Sequence, residues 1–374
     1  MAGRDQASYL FLSLLQARTG TSFVSRLGDV PLTAVPEMSS AELGQRVRMT
    51  ERAARAFEDL RRDFDPGAMI GELERRGISM LTPADAGYPP RLTKVPDPPP
   101  ALFVDGTLPE ALRDELPEAV AVVGSRKASP SGLDAARRLG GALGERGVCV
   151  ISGLALGIDA AAHEGALEAG GSTVGVLGCG IDVVYPRSNH RLFGKVRESG
   201  ALVSEYHLGE APLAWRFPAR NRIIAGLCGS VVVVEAAEKS GALITARHAL
   251  DAGGDVWAVP GPLGLAECRG SNKLLADGAG CIWDVAEFVE AIAPVPAGGI
   301  VPLEKPLDVS LPAGLAPGEA AALAGVGFEP TEVDAVAGRS GLKMQELLSA
   351  LGLLELKGYI HRDGSGAFVR RPAG

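Results

Sequence analysis

The chain has 374 residues, of which 46% are hydrophobic, and its formal net charge at pH 7 is −8. No apolar run approaches the roughly 18 residues that a membrane-spanning helix requires, so the sequence predicts a soluble protein without a membrane partner. The length, with 49 glycines and 26 prolines, predicts two or three domains and at least one linker. Five cysteines without a Cys-x-x-Cys spacing argue against a disulfide framework and against zinc, and favour a reducing cytoplasm.

Basic residues cluster in the sequence although the chain is acidic overall. The net negative charge argues mildly against nucleic acid as a partner. Exposed charges are, however, screened beyond a Debye length of about 8 to 10 Å, so local clusters decide. The clusters fall in three loop regions: Arg126 and Lys127; Arg187, Arg191, Lys195 and Arg197; and Arg216, Arg220 and Arg222.

Residues 1–80 predict a small helical domain. Apolar residues recur at helical spacing, as at Ala53, Phe57 and Leu60, with charged residues on the opposite face. The segment is comparable to a helix-hairpin-helix module, but the Gly-x-Gly turn that would hold a DNA phosphate is missing. A scaffold role is therefore favoured for this domain.

Residues 81–293 predict an α/β core with a mostly parallel sheet. The stretch Val120–Gly140 is typical of a buried strand, a Gly-Ser-Arg turn and a helix after Pro130. Strand and helix then alternate, and crossovers of this length make the strands parallel. A proline-rich stretch precedes this unit, with Leu102–Val104 as a possible edge strand. Five further strands end in the same manner: Val148–Gly153, Thr173–Gly180, Ala201–Tyr206, Ser230–Ala236 and Asp255–Gly261.

Residues 294–316 are rich in Pro, Gly and Ala and lack periodicity, which predicts a linker. Residues 317–374 then predict a third domain of three helices and a hairpin, which together suggest a winged helix. The last helix carries Leu347, Leu351 and Leu354 on one face, and the hairpin turn is predicted at 363–366.

The loops that follow the predicted strands carry the candidate site. Gly124, Ser125, Arg126 and Lys127 form the first loop, where free N–H groups at a helix start and a cation attract anions. Ser152 and Gly153 open the second loop, which leads to Asp159 and His163. Asp159 is more often a helix cap than a functional carboxylate in such a place, and His163 is more often structural.

The segment from Phe217 to Arg222 carries a more specific pattern. Arg220 and Arg222 flank Asn221 and offer planar forks for phosphates, while Asn221 can bond a loop or a base edge. The alternative is an ion pair of these arginines with Glu205 or Glu235. The residues alone do not decide between the two, which can also coexist. Ser240, Gly241 and Thr245 begin another helix at the same sheet edge, and Asn272 and Lys273 complete the rim of one predicted pocket.

Two enzyme classes compete with a binding function. A nicotinamide dehydrogenase needs Gly-x-Gly-x-x-Gly after the first strand, whereas this chain has Gly124-Ser-Arg126 there, so that class is excluded. A nucleotide phosphoribohydrolase shares the Gly-Ser-Arg style but uses a Pro-Gly-Gly-x-Gly-Thr loop near a glutamate. The comparable stretch, Glu235–Thr245, lacks that loop, and the phosphoribohydrolase is kept as the alternative function.

The combined motifs resemble those of the bacterial DNA-processing protein A family, also called DprA or Smf. The resemblance runs in order from about Leu81 to Asp284 and continues in the final domain. It rests on Gly124-Ser-Arg126, Ser152–Asp159 with His163, Gly178-Cys-Gly180, Tyr185-Pro186 with Asn189, Ser204-Glu205-Tyr206, Phe217–Arg222, Ser240–Ala246 and Pro260-Gly261.

The resemblance implies a fold and a function. The fold is an extended Rossmann-like core with an N-terminal helical domain of SAM or helix-hairpin-helix type and a C-terminal, DML1-like winged helix. The function is that of a homodimeric mediator without catalytic activity, cofactor or metal, which protects single-stranded DNA and loads the RecA recombinase onto it during natural transformation. Arg126 is expected to contact phosphate. The expected DNA-binding residues are Gly124, Ser125, Arg126, Lys127, Ser152, Gly153, Arg187, Asn189, Phe217, Arg220, Asn221, Arg222, Ser240, Gly241, Thr245, Asn272 and Lys273.

Aromatic residues near these loops fit that expectation. Single strands need a basic track and a surface on which bases stack, and Tyr185, Tyr206 and Phe217 lie in or beside the motif loops. Stacking does not select sequence, so sequence-tolerant binding is expected. The winged helix is a poor candidate for reading a DNA groove. Two alternatives stay open for it, contact with protein and contact with duplex DNA through Arg362, Arg370 and Arg371.

Overall fold

The computed structural model describes residues 2–20, 23, 26–28, 30–113, 119–293, 315–327, 331–362 and 367–370. The chain divides into two compact units, Met1–Val295 and Pro296–Gly374. Nearly all of the predicted linker 294–316 lies outside the described residues, as do the hairpin turn 363–366 and Arg371.

The first unit begins with helices whose ends follow from local sequence. Ser39 and Glu42 form a reciprocal capping box, Thr50 accepts a hydrogen bond from the N–H of Ala53, and Asp65 caps a helix that starts with proline. Each cap satisfies a backbone N–H that has no partner within its helix. The helices are α1 (Ala2–Thr19), α2 (Ser40–Arg46), α3 (Glu51–Asp63) and α4 (Pro66–Arg75).

The helical segment and the sheet share one hydrophobic core. Phe11 of α1 packs edge-on against Phe57 and Phe64, with ring centroids 5.3 and 5.1 Å apart. The same buried cluster continues into sheet residues, among them Phe103 and Leu202. Residues 1–80 therefore pack against the core within one compact unit, and their boundary with it at residue 80 stays a prediction.

A nine-stranded, mostly parallel sheet forms the centre of the first unit, which confirms the predicted α/β class. The strand order is β1-β2-β6-β5-β4-β3-β7-β8-β9, and only β2 runs antiparallel to its neighbours. The strands are β1 (Ile78–Leu81), β2 (Leu102–Gly106), β3 (Ala119–Val123), β4 (Cys149–Ser152), β5 (Thr173–Val176), β6 (Ala201–Ser204), β7 (Ser230–Val233), β8 (Asp255–Ala258) and β9 (Gly280–Cys281).

The prediction of Leu102–Val104 as an edge strand was wrong. β2 pairs with β1 on one side and with β6 on the other, so the edge belongs to β1. The physical reason is burial on both faces, since Leu102, Phe103 and Val104 are all buried. An unbroken apolar run is typical of an interior strand.

The strand order reverses beside β3. Strands β4, β5 and β6 follow on one side of it and β7, β8 and β9 on the other. In open α/β sheets this reversal leaves a crevice outside the carboxyl ends of the two central strands, here β3 and β7. The helices around the sheet are α5 (Pro130–Glu145), α6 (Ile158–Glu168), α7 (His190–Ser199), α8 (Arg216–Gly226), α9 (Gly241–Asp251), α10 (Arg269–Ala276) and α11 (Val285–Ile292).

The second unit contains the predicted three helices and two strands. Leu347, Leu351 and Leu354 are buried in its own hydrophobic core, as the helical spacing predicted. The two strands pair antiparallel, with His361 opposite Val369. The elements are α12 (Pro317–Gly325), α13 (Val333–Ser340), α14 (Met344–Leu356), β10 (Ile360–Arg362) and β11 (Phe368–Arg370).

Within the described residues, no helix has both the length and the apolar character needed to cross a membrane. All five cysteines are free thiols, and Cys281 is the exposed one.

Candidate nucleic-acid interface

A cleft of about 620 Å³ opens where the strand order reverses. Its walls come from the loops after β3 and β7 and from the starts of α8 and α9. Nine of the sequence-predicted residues line it: Gly124, Ser125, Arg126, Phe217, Arg220, Asn221, Ser240, Gly241 and Thr245.

Arg126 is an exposed cation of this cleft. Its guanidinium carbon lies 5.2 Å from the centre of the Phe217 ring, in a cation–π arrangement. Within the described part of the chain Arg126 forms no ion pair, so its donors are available to a ligand. The Tyr185 ring is 5.3 Å from Phe217, tilted by 38°, and Tyr185 is 41% exposed. A free guanidinium and two accessible rings thus lie together at the mouth of the cleft.

The Gly-Ser-Arg turn is held by tight packing of its backbone. The N–H of Ser125 donates to the carbonyl of Glu235 at 2.7 Å, and the N–H of Ile158 donates to the carbonyl of Ser125 at 3.2 Å. A β-carbon on Gly124 would lie 2.6 Å from the Ile158 side chain and 2.9 Å from the Glu235 carbonyl oxygen. Only glycine fits there, and the turn presents Arg126 at a fixed place.

Arg220 and Asp159 hold the loop after β4 in place through hydrogen bonds from its buried side. Arg220 is buried and donates to the carbonyls of Gly153, at 3.1 Å, and Val176. Asp159 accepts from the N–H groups of Gly153 and Ala155, at 3.1 and 3.4 Å. Burial raises the pKa of Asp159 and lowers the pKa of Arg220 to about 10. Asp159 is not the predicted helix cap, because α6 begins after Gly157 and Asp159 bonds the preceding loop instead.

Arg222 lies in the interior. It donates to both carboxylate oxygens of Glu205, at 2.7 and 2.6 Å, and to the carbonyl of Asp97 at 2.9 Å. The structure therefore shows the ion-pair alternative for Arg222. The prediction that Arg222 contacts phosphate is wrong, because its guanidinium is buried and its donors are used by Glu205 and Asp97. The Glu235 carboxylate accepts from Ser129 Oγ at 2.7 Å and, within the described residues, pairs with no arginine.

Several predicted residues support the loops rather than face the cleft. The Ser152 hydroxyl is fully buried and donates to the Val122 carbonyl at 2.6 Å. Asn189 donates to the carbonyls of Leu154 and Ala155, at 3.0 and 3.3 Å, and so fixes the loop that carries Gly153. Their roles are structural because their polar atoms are used within the protein.

Two other predicted amides also bond backbone. Asn221 donates to the carbonyl of Gly241 at 3.1 Å, which joins α8 to the start of α9 at the cleft wall. Asn272 brackets Gly261, accepting from its N–H at 2.9 Å and donating to its carbonyl at 3.0 Å.

Among the described residues the predicted single pocket is divided between the first cleft, a small cavity beside Arg126 that Gly153 lines, and a second cleft. The second has a volume of about 370 Å³ and is lined by Lys127, Glu235 and Gly261, among others. It shares no lining residue with the first cleft, because the loop after β7 separates them. Lys273 lies in neither cleft and pairs with Asp277 at 3.1 Å on the surface. Arg187 is exposed and likewise lines neither one.

The start of α9 adds a positive end to the first cleft. Ser240 caps the helix by accepting from the N–H of Ala242 at 3.3 Å, while Gly241 and Thr245 lie on the cleft side. The N-terminus of a helix carries a partial positive charge that favours anions. Lys239 is exposed and also lines the cleft, and sequence reasoning missed it. The sequence feature that could have identified Lys239 is its position directly before the helix-capping Ser240, in the loop after a strand.

Of the three aromatic residues predicted to stack on bases, two lie at the cleft. Tyr185 and Phe217 line the cleft, but Tyr206 is buried beneath Arg216, whose guanidinium carbon is 4.4 Å from the ring centre. Arg216 itself pairs with Glu210 at 2.7 Å and donates to the Ala17 carbonyl of α1. Tyr206 therefore belongs to the contact between helical segment and sheet and cannot stack on a base.

His163 has the structural role that was favoured. Its Nδ1 lies 2.6 Å from the hydroxyl of Thr173, and burial lowers its pKa to about 3. Among the residues that the structure describes, no group of three or more His, Cys, Asp or Glu side chains could hold a metal ion.

The fold and the cleft define an α/β protein with a Rossmann-like sheet, a cationic and aromatic cleft at its switch point and an additional C-terminal domain. The chain belongs to the DprA family: the model of DNA recombination-mediator protein A matches residues 79–293, and that of the DprA winged helix domain matches residues 306–366. The predicted family and the predicted winged helix are thereby confirmed. The family is one of DNA recombination mediators, so the chain is a DNA recombination mediator and not an enzyme.

Relatives and solved structures agree with this assignment. Protein Smf of Escherichia coli is 42% identical over 299 residues, which cover 78% of this chain and 77% of that protein. The structure of DprA from Streptococcus pneumoniae has a TM-score of 0.59 and 31% identity, and covers 78% of this chain and 99% of its own. DprA from Helicobacter pylori, described in terms of its single-stranded DNA binding mode, has a TM-score of 0.52 and 30% identity, and covers 57% of this chain and 95% of its own.

Proposed function

We propose that the cleft between β3 and β7 binds single-stranded DNA and that the protein loads RecA recombinase onto the bound strand during natural transformation. The observation that carries the DNA site is the exposed Arg126 stacked on Phe217 beside Tyr185. The binding of single strands by the Helicobacter pylori relative supports the choice of ligand.

Phosphates and bases have separate contacts in this proposal. Arg126 offers a fork to one phosphate, and Lys239 with the N-terminus of α9 offers positive charge to a second. Phe217 and Tyr185 offer ring faces to the bases, and ring faces accept any base. Binding should therefore tolerate changes of sequence.

The proposed contact residues are fewer than the sequence suggested. Arg220, Asn221 and Asn189 keep the cleft walls in place from within, as their hydrogen bonds to backbone carbonyls indicate. Residues proposed to face the strand are Gly124, Ser125, Arg126, Tyr185, Phe217, Lys239, Ser240, Gly241 and Thr245, with Lys127 at the second cleft.

RecA loading and a homodimeric state are proposed from the family. A recombination mediator must transfer its strand to a recombinase, which supports RecA as the partner and the cytoplasm as the place of action. The direct test is RecA filament formation on oligonucleotides covered by single-strand-binding protein, with and without this protein. Light scattering after size exclusion measures the oligomeric state.

The DNA site is tested by titrating labelled oligo-dT at a series of salt concentrations. Each phosphate contact contributes about −0.7 to the slope of log affinity against log salt. Replacing Arg126 with Ala should weaken binding to all sequences alike and flatten this slope by roughly 0.7. The affinity of the Arg126→Lys protein should lie between those of the unchanged protein and of Arg126→Ala, because lysine restores the charge but not the planar fork. Arg138→Ala, which removes an exposed arginine of α5 outside both clefts, is the matched control.

An unchanged slope in the Arg126→Ala protein would refute the phosphate contact. Release of free base from a nucleoside monophosphate would instead support the phosphoribohydrolase, the alternative function.

A further inference from the structure

The cleft wall that carries Phe217 is joined to the N-terminal helical segment by one buried arginine. Phe217 is the second residue of α8, and Arg216 is the first. The Arg216 guanidinium donates to the Ala17 carbonyl of α1 at 3.0 Å. It also donates to the Ala211 carbonyl at 2.8 Å and to the Glu210 carboxylate at 2.7 Å. One side chain thus connects α1, the loop before α8 and the start of α8.

This connection explains why a cation stands at the start of α8. The N-terminus of a helix carries partial positive charge, so a cation there is unfavourable for α8 by itself. The last turn of α1, which contains Ala17, carries the opposite partial charge and has carbonyls without partners inside the helix. Arg216 therefore suits the contact between the two helices rather than its own helix.

The start of α8 lacks a side-chain cap. Trp215 stands at the capping position and forms no capping hydrogen bond. Its ring packs instead at Gly20, directly after α1, where a β-carbon would lie 3.6 Å from the ring. The Arg216 guanidinium carbon is 5.3 Å from the centre of the same ring. Because uncapped helix ends fray, the first turn of α8 depends on these contacts with α1 for its order.

A second link from α1 holds α8 further along. Ser13 Oγ donates to the Glu205 carbonyl at 2.9 Å, and Gln16 Nε2 donates to the Glu205 carboxylate at 3.0 Å. The same carboxylate pairs with Arg222 of α8. Helix α1 is thus tied to α8 at its start and near its middle.

We propose that Arg216 is a positioning residue for DNA binding, through which the N-terminal helical segment fixes the Phe217 ring in the cleft. The ring must keep its place beside Arg126 and Tyr185, at 5.2 and 5.3 Å, to offer a face to a base. The helical segment then contributes to the stacking part of the affinity without contacting the strand. The inference rests on the proposed single-strand site.

Two oligonucleotides of equal length separate stacking from phosphate contacts. Oligo-dT offers bases and phosphates, whereas an abasic oligonucleotide offers phosphates alone. Phe217→Leu should lower the affinity for oligo-dT about five- to a hundredfold, the range expected for one lost stacking contact, and leave the affinity for the abasic strand unchanged.

Arg216→Met should act on the same part of the affinity. It should weaken oligo-dT binding about three- to tenfold, because the ring is no longer held in place, and leave the abasic affinity and the salt slope unchanged. Methionine keeps an apolar stem against Tyr206, and the Glu210 side chain is 25% exposed, so no fully buried charge loses its partner. Adding Arg216→Met to Phe217→Leu should cause no further loss, because both changes act on one ring.

Two further variants control the experiment. Arg18→Ala removes an exposed arginine from the last turn of α1 and should leave both affinities unchanged. Glu210→Ala removes the charge partner of Arg216 at a partly exposed position, and it tests the same link if Arg216→Met does not fold. It should lower the ratio of oligo-dT affinity to abasic affinity in the same direction.

The outcomes distinguish the inference from the DNA site on which it rests. Equal weakening of both oligonucleotides by Arg216→Met would show a general structural role and overturn the inference. An unchanged affinity ratio in Arg216→Met and in Glu210→Ala, with Phe217→Leu impaired, would overturn it as well and leave the DNA site intact. If Phe217→Leu itself binds oligo-dT with unchanged affinity, the DNA site is wrong and the inference is wrong with it.

Discussion

Three arginines of the family motifs have different surroundings in the folded chain. Arg126 is exposed and stacked on Phe217, Arg220 is buried against backbone carbonyls, and Arg222 is buried in an ion pair with Glu205. The same type of side chain is thus exposed to a proposed ligand at one position, supports a loop at the second and forms a core ion pair at the third. Exposure and nearby carboxylates decide which role applies.

Replacing Arg222 with Ala should lower stability and leave the salt slope of DNA binding unchanged. Removing one partner of a buried pair leaves an uncompensated charge, which costs about 3 to 5 kcal/mol. Urea unfolding measures the loss, with Arg138→Ala as the surface control. Combining Arg222→Met with Glu205→Gln should recover part of the stability. A stable Arg222→Ala protein with a flatter salt slope would restore the phosphate role.

His163 should make the fold sensitive to mild acid. The Thr173 hydroxyl donates to the Val150 carbonyl, so it accepts from Nδ1–H of His163, and Nε2 is buried without a partner in the described structure. Protonation of Nε2 would bury a cation. Burial accordingly lowers the pKa of His163 to about 3 in the folded state, whereas the unfolded value is about 6.5.

The direction of the pH effect follows from the lowered pKa. The stabilising contribution of neutral His163 is complete above pH 6.5 and is lost as the pH falls towards 3. Between pH 7.5 and pH 5 the free energy of unfolding should fall by about 2 kcal/mol from this residue. His163→Gln should reduce the slope of the free energy of unfolding against pH. It should not remove that slope, because burial also lowers the pKa of His207 and of His248. An unaltered slope in the variant would show that His163 is not the titrating group.

At the scale of elements, the contact of α5 with α6 depends on glycine. A β-carbon on Gly140 would collide with the Ala162 carbonyl, and one on Gly165 would collide with the Arg137 carbonyl. The two helix backbones therefore touch directly. This close contact places the starts of both helices, and hence the Gly124 and Gly153 loops, beside the cleft.

Gly140→Ala should destabilise the protein by about 1 to 3 kcal/mol, because the added methyl group forces the helices apart. Gly194→Ala in α7 is the matched control, since a β-carbon there meets nothing within 4 Å. That change should be neutral or stabilising by up to about 1 kcal/mol. Thermal unfolding of both variants measures the difference, and equal melting temperatures would contradict a direct backbone contact.

At the scale of the whole molecule, the chain is built from two units with separate cores. The proposed DNA contacts all lie in the first unit. DNA binding can therefore be tested in the absence of the second unit by cutting between the units.

Truncation near Pro302 should leave a folded first unit that binds oligo-dT with the affinity and salt slope of the full chain. The reason is that no cleft residue is removed. Circular dichroism and the oligo-dT titration measure fold and binding. A truncated protein that folds but has lost its affinity would show that the second unit contributes to the site.

The sequence by itself determined the secondary structure, the sheet class and the location of the cleft. Continuous apolar runs predicted the parallel strands, and glycine and capping residues marked the loops after them. Since parallel strands end at one edge, the loops at residues 124–126 and 240–245 had to meet. Nine predicted residues line the cleft for this reason.

Only the tertiary structure decided which of these residues a ligand can reach. Arg222 and Glu205 are 17 residues apart, and their pairing depends on the packing of α8 against the end of β6. Tyr206 and Phe217 are both aromatic residues near motif loops, yet one is covered by Arg216 and the other lines the cleft. Periodicity specifies which face of an element is buried, but burial of a polar side chain depends on partners that folding brings from elsewhere in the chain.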